Sequence, residues 1–254
     1  MTLLGVLLAV MVGLSLGMLG GGGSVLTVPI FVYAGGFAAK AAVAMSLPVV
    51  GVTSLVGALF RARSRDLDLR VALIFGGVAM AGAYAGARVG VLLPGDVQLT
   101  ILAVVMLAAA VAMFRRGAAR NEPAPVNAAA PIVVPRLVIA ALGVGLLTGV
   151  VGIGGGFLVV PALVLLMGVP MKRAIGTSLL VIAMNAAAGL LGYVGRVDMS
   201  WGYVAWFTLA AIAGILAGTS LVRFVPTRAL TRAFAVLLAL VAVFVLLERT
   251  GRLA

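Results

Sequence analysis

The sequence predicts an all-α polytopic membrane protein made of two homologous repeats, each with about four hydrophobic segments. Three observations carry that expectation. Hydrophobic residues make up 64% of the chain and charged residues only 9%, whereas a soluble domain carries roughly a quarter charged residues and cannot hide so much apolar surface from water. Charge-free runs at 2–39, 137–171, 174–195 and 199–222 each reach the length of about 20 residues that a helix needs to cross a bilayer. Residues 13–32 also align without a gap on residues 145–164, with ten of twenty identical, among them Gly20/Gly152, Gly22/Gly154, Gly23/Gly155 and Pro29/Pro161. The same offset of 132 pairs Lys40 with Lys172, Asp66 with Asp198 and Pro94 with Pro226. The chain is therefore a duplication, and a glycine loop heads each copy.

Residues 1–114 form the first repeat. Its opening uncharged run, 2–36, is too long for one crossing and is broken at Gly20 to Gly23. Glycine runs interrupt helices, so a helix, a loop and a shorter helix starting near Ser24 are expected. Apolar runs follow at 41–60, 71–93 and 97–114, with a charged loop from Arg61 to Arg70 and a stop at Pro94-Gly95. Residues 115–136, rich in Ala and Pro, read as a linker. The second repeat, 137–254, copies the order: 137–168 broken at Gly152 to Gly156, then 174–195, 199–222 stopped by Pro226, and 229–247.

Charge decides the topology. If each broken segment crosses once, the repeats are parallel and Lys and Arg divide eleven to seven between the two faces. If each folds back as a hairpin, every repeat crosses an odd number of times and the second is inverted. Thirteen basic residues then share one face, against Lys40, Arg88, Arg196, Arg249 and Arg252 on the other. Cytoplasmic loops collect Lys and Arg, which favours the inverted arrangement, with the 115–136 linker cytoplasmic and both termini outside.

The net charge of +12 has the same origin and does not point to nucleic acid. With no Cys and no His, disulfides, thiolate sites and the commonest metal ligand are excluded, and neither a metal nor a cofactor is called for. All six acids, Asp66, Asp68, Asp96, Glu122, Asp198 and Glu248, fall in loops or at segment ends. An intramembrane carboxylate relay is therefore missing, and so is any nucleophile and base pair for hydrolysis. Proton coupling would ride on the substrate or on surface groups.

What remains is backbone and neutral side chains. A glycine loop opening a helix presents unpaired N–H groups and the positive end of the helix dipole. Such irregular backbone is tolerated in a bilayer only where it is buried in protein or lines a cavity. Gly20, Gly22, Gly23 and Ser24, with Gly152, Gly154, Gly155 and Gly156, are the expected anion site. The Gly13/Gly17 and Gly145/Gly149 pairs instead have the Gly-xxx-Gly spacing of close helix packing. A nucleotide loop does not fit, because the Lys-Ser/Thr of a P-loop and an acid about 20 residues downstream are both missing. The next segments add Ser46, Thr177, Ser178 and Asn185 as neutral donors able to replace an anion's hydration, with Thr53 and Ser54 as weaker candidates. Ser and Thr also commonly bond their own helix backbone. Lys40, Lys172 and Arg88 read as interfacial anchors.

The run Gly149-Val-Val-Gly-Ile-Gly-Gly-Gly-Phe-Leu-Val-Val-Pro161, followed by Lys172-Arg-Ala-Ile-Gly-Thr-Ser-Leu179, resembles the sulfite exporter TauE/SafE family, and through the duplication the resemblance spans nearly the whole chain. It implies a small secondary transporter of the bacterial inner membrane that moves sulfite or a related organosulfur anion. The first copy departs from the pattern, with Ala44-Met45-Ser46 where the second has Gly176-Thr177-Ser178. The expected partners are a small anionic substrate and the lipid bilayer, not nucleic acid, and a homo-oligomer is left open. Alternating access between the repeats is the leading mechanism. A channel-like anion pathway is the alternative, and a membrane enzyme or assembly partner is disfavoured by the missing acid and base groups.

Overall fold

The computed structural model describes residues 3–62, 67–119, 134–151 and 156–251, and within them it is helical, without strands. The helices are α1 (Leu3–Leu19), α2 (Gly22–Pro29), α3 (Ala39–Ala62), α4 (Leu69–Gly90), α5 (Gly95–Ala119), α6 (Val134–Val151), α7 (Gly156–Pro161), α8 (Met171–Tyr193), α9 (Trp201–Leu221) and α10 (Thr227–Gly251). Among the described residues, α3, α4, α5, α8, α9 and α10 are long and apolar enough to cross a membrane. Side chains such as Ile139, Leu191 and Leu209, each at least 70% exposed, suit a hydrocarbon surrounding rather than water. The protein is a polytopic helical membrane protein.

Each element of the second half starts within two residues of its counterpart's start plus 132, down to the π turns Ile30–Ala34 and Ala162–Leu166 that follow Pro29 and Pro161. In each π turn the ladder widens by one residue, as in the 2.9 Å bond from the Gly35 N–H to the Ile30 carbonyl. The helices overrun the expected boundaries. α5 continues to Ala119 and α6 starts at Val134, so helix enters both ends of the stretch read as linker. Arg61, expected at the start of a charged loop, lies inside α3 and is 2% exposed. Its guanidinium finds the Gly17 carbonyl of α1 at 3.1 Å, so the helix can continue past it.

The first broken segment is a hairpin. Gly20 ends α1 in the left-handed region, φ +71°, with its N–H on the Leu16 carbonyl at 2.8 Å. α2 then runs back along α1, setting Gly23 against Val12 and Leu16.

The two halves interlock through glycine. Gly13 and Gly17 of α1 back onto Ala211, Ile215 and Thr219 of α9, while Gly214 and Gly218 of α9 back onto Val10 and Leu14. The indices rise together, so these helices run parallel. The 132-shifted contacts recur with the halves exchanged: Gly145 and Gly149 of α6 meet Ala79, Ala83 and Ala87 of α4, and Gly82 and Gly86 meet Leu142 and Leu146. Packing is thus the role of these G-xxx-G pairs. At the centre α3 and α8 cross, with Leu47 against Gly189, Gly51 against Ala186 and Gly57 against Leu179. Here one index rises as the other falls. These equivalent helices of the two halves therefore run antiparallel, which is the geometry the inverted reading expects.

Candidate functional site

Three elements from the two halves converge on the first glycine turn. The Gly20 carbonyl accepts a 2.8 Å hydrogen bond from Ser178 Oγ on α8, whose hydroxyl also lies 2.9 Å from the Ile175 carbonyl. Gly21 packs directly on the Gly156 backbone at the start of α7, so closely that a Cβ on Gly21 would overlap the Gly156 carbonyl. Ser24 is fully buried and donates to the Gly21 carbonyl at 2.7 Å. A Cβ on Gly156 would stand 2.7 Å from that same hydroxyl. The openings of α2 and α7 therefore abut, and glycine is required because backbone meets backbone there. Gly21, the N-cap residue of α2, receives no side-chain cap, leaving the first amides of α2 without the Ser, Thr, Asp or Asn partner that usually occupies this end.

The expected site residues divide accordingly. Gly20, Ser24, Gly156 and Ser178 come together. Gly22 and Gly23 lie on the same turn, but their α-carbons face Leu19 and Leu237 in one case and Val12 and Leu16 in the other, so closeness of packing accounts for their lack of a side chain. Asn185 lies one turn beyond Ile182, the α8 side chain that a Cβ on Gly156 would meet at 2.9 Å, and is itself buried without a bond to the cluster, next to Ala186, which faces Gly51 of α3. Ser46, the counterpart of Ser178, is buried and donates to the Val43 carbonyl at 2.8 Å. Thr177 leaves the cluster: its Oγ1 accepts the Asp68 N–H at 3.0 Å, just before α4. Gly152, Gly154 and Gly155 lie outside the described residues.

Other buried residues hold the last turn of α6. Gln98, the chain's single glutamine, is buried, and its Nε2 lies 2.9 Å from the Gly90 carbonyl, 2.8 Å from the Val150 carbonyl and 2.9 Å from the Tyr193 hydroxyl. Tyr193 in turn approaches the Gly149 carbonyl at 3.4 Å. Position 193 is Arg61 shifted by 132, and Gly149 is Gly17 so shifted. One half thus holds the last turn of its first helix with a guanidinium, the other with a phenol and an amide. A single amide in the apolar run 97–114, whose one other polar residue is Thr100, was the available signal for Gln98. Nothing in the spacing marked Arg61, because it borders a basic loop. Lys172 donates to the Arg223 carbonyl just beyond α9 at 3.4 Å.

A cavity of about 250 Å³ lies elsewhere, between the open end of the first hairpin, Leu4, Leu8, Ile30 and Ala34, and Tyr203 and Trp206 of α9. Its lining is mainly apolar, next to an edge-to-face cluster of Phe31, Phe37, Tyr203 and Phe207. It does not carry the convergent neutral donors of the glycine turn.

Residues 5–245 match the family described as Sulfite exporter TauE/SafE. The chain belongs to that family. A "Probable membrane transporter protein" of Xylella fastidiosa is 31% identical over 239 residues, 93% of this chain and 91% of the relative. The "Probable membrane transporter protein YdhB" of Bacillus subtilis is 25% identical over 221 residues, 87% and 90% of the two chains. No solved structure matches this TauE/SafE chain.

Proposed function

We propose that this TauE/SafE chain is a secondary transporter, working as an exporter, for sulfite or a related small sulfur-containing anion such as an organosulfonate. Family membership and the names of its relatives support a membrane transporter rather than an enzyme. The observation that carries the finer reading is the junction of Gly20, Gly21, Ser24, Gly156 and Ser178, contributed by both halves. An anion held there would rest on the uncapped amides of α2 and on neutral hydroxyls. Movement of one half against the other would then expose it to each side in turn. The antiparallel α3 and α8 support inverted repeats, and the Lys and Arg distribution favours a bacterial inner membrane orientation with the linker cytoplasmic and both termini periplasmic. Because the chain has no histidine and the acids of the spanning helices, Asp96 and Glu248, sit at helix ends, coupling to protons would use the substrate's own proton, and the second ionisation of sulfite is close to neutrality.

Purified protein in liposomes tests this reading with a flux panel of sulfite, sulfate, thiosulfate and sulfonates. Saturable uptake with substrate-driven counterflow is expected for sulfite or a sulfonate. Flux without saturation or counterflow would assign a channel instead. Efflux indifferent to an imposed pH gradient would remove the proton-carrying role of the substrate.

A further inference from the structure

The crossing of α3 and α8 holds a second polar feature that the glycine turn does not use. Thr53 Oγ1, Ser54 Oγ and both Asn185 amide atoms are buried and have no hydrogen-bond partner. Buried hydroxyls on membrane helices ordinarily bond a carbonyl one turn back, as Ser46, Thr208 and Thr219 do here. Thr53, Ser54 and Asn185 depart from that habit together. Thr53 and Asn185 are also counterparts at the 132 offset, and the contacts Gly51 to Ala186 and Gly57 to Leu179 put Asn185 level with residue 52 and Thr53 level with residue 184. The three residues therefore share one level of the crossing, next to its centre of pseudo-symmetry. Leaving such groups dry and unpaired is costly, and a fold under no functional constraint would have apolar side chains in their place.

Resting on the transporter reading, we propose that Thr53, Ser54 and Asn185 form an oxyanion-coordinating site that is collapsed in this conformation and opens as α3 and α8 separate. The collapse is visible at Gly51, where even a Cβ would lie 3.1 Å from the Ala186 side chain. Two hydroxyls and an amide offer four hydrogens with no counter-charge, which suits a small anion that must also be released. The Asn185 Oδ1 acceptor matches the proton of a singly protonated oxyanion such as hydrogensulfite, and a fully ionised anion would leave that acceptor unpaired.

The test compares Thr53→Val, Ser54→Ala and Asn185→Leu with the wild type. The readouts are thermal unfolding in detergent with and without sodium sulfite, and liposome flux. The site predicts a thermal midpoint equal to or above that of the wild type without sulfite, because orphaned polar groups have been removed. It also predicts loss of the sulfite-induced rise and at least a tenfold increase in the sulfite KM. Ser54→Ala, the smallest change, keeps the comparison usable should a larger one prevent folding. A lowered midpoint without sulfite, or a sulfite response and KM equal to the wild type, would overturn the site while leaving transport intact. A wild type with neither flux nor a thermal response to any anion in the panel would overturn the transporter reading, and the site with it.

Discussion

Replacing Gly17 by alanine tests the interlocking of the two halves directly. A Cβ there would stand 2.6 Å from the Ile215 carbonyl oxygen and 2.7 Å from the Thr219 nitrogen, both backbone atoms of α9. Ordinary contact begins near 3.4 Å, so α1 and α9 would have to part by roughly 0.8 Å locally, the difference between 3.4 and 2.6. Overpacking of this kind costs about 1–3 kcal/mol, and for a chain of this size each kcal/mol shifts the midpoint by about 2–4 °C. Gly17→Ala should therefore lower the unfolding temperature by roughly 2–12 °C. The pseudo-symmetric Gly149→Ala, whose Cβ would press on Ala83 and stand 2.7 Å from the Ala87 nitrogen, should do the same. Gly77→Ala and Gly143→Ala, on α4 and α6 with nothing within 4 Å of their Cβ positions, are the controls and should leave the midpoint unchanged or slightly raised. The two tryptophans, Trp201 and Trp206, both sit on α9, so intrinsic fluorescence reads the α1–α9 interface that Gly17→Ala disturbs, and circular dichroism gives the midpoint of Gly149→Ala. Midpoints for Gly17→Ala and Gly149→Ala within a degree of the controls would refute the close parallel approach of α1 to α9 and of α6 to α4.

Gln98→Leu should cost about 1–3 kcal/mol, since it leaves the buried Val150 carbonyl without its amide partner, and hydrogen exchange should rise first around Gly149 to Val151. Ser178→Ala should destabilise by a similar amount, about 1–3 kcal/mol, through the Gly20 carbonyl, and in transport assays should also weaken sulfite saturation. A normal KM in that variant would reduce Ser178 to a structural brace. For topology, single cysteines at Arg70 and Arg173, exposed at the starts of α4 and α8, should label from one side of the membrane. Cysteines at Lys40 and Arg196 should label from the other, and any split within a pair would sink the inverted arrangement.

The sequence alone determined the membrane class, the duplication and the breaks at the glycine turns. Apolar run length, a 132-residue offset and glycine's backbone freedom are all local properties, legible without knowing what packs where. It also separated the G-xxx-G pairs from the glycine loops, because that spacing has a packing meaning of its own. Pairing across the duplication was not legible. That α1 lies on α9 and α6 on α4, rather than each within its own repeat, depends on which small residues from distant segments meet. Nor could spacing tell Ser178, which reaches the Gly20 carbonyl, from Thr177, which turns away to the Asp68 amide, because adjacent helical positions point about 100° apart and only the neighbours decide which direction leads to the turn. Arg61 and Gln98 acquired their roles in the same way, from backbone carbonyls that the fold brings within reach. Thr53, Ser54 and Asn185 stand out for the opposite reason: the tertiary structure brings them no partner.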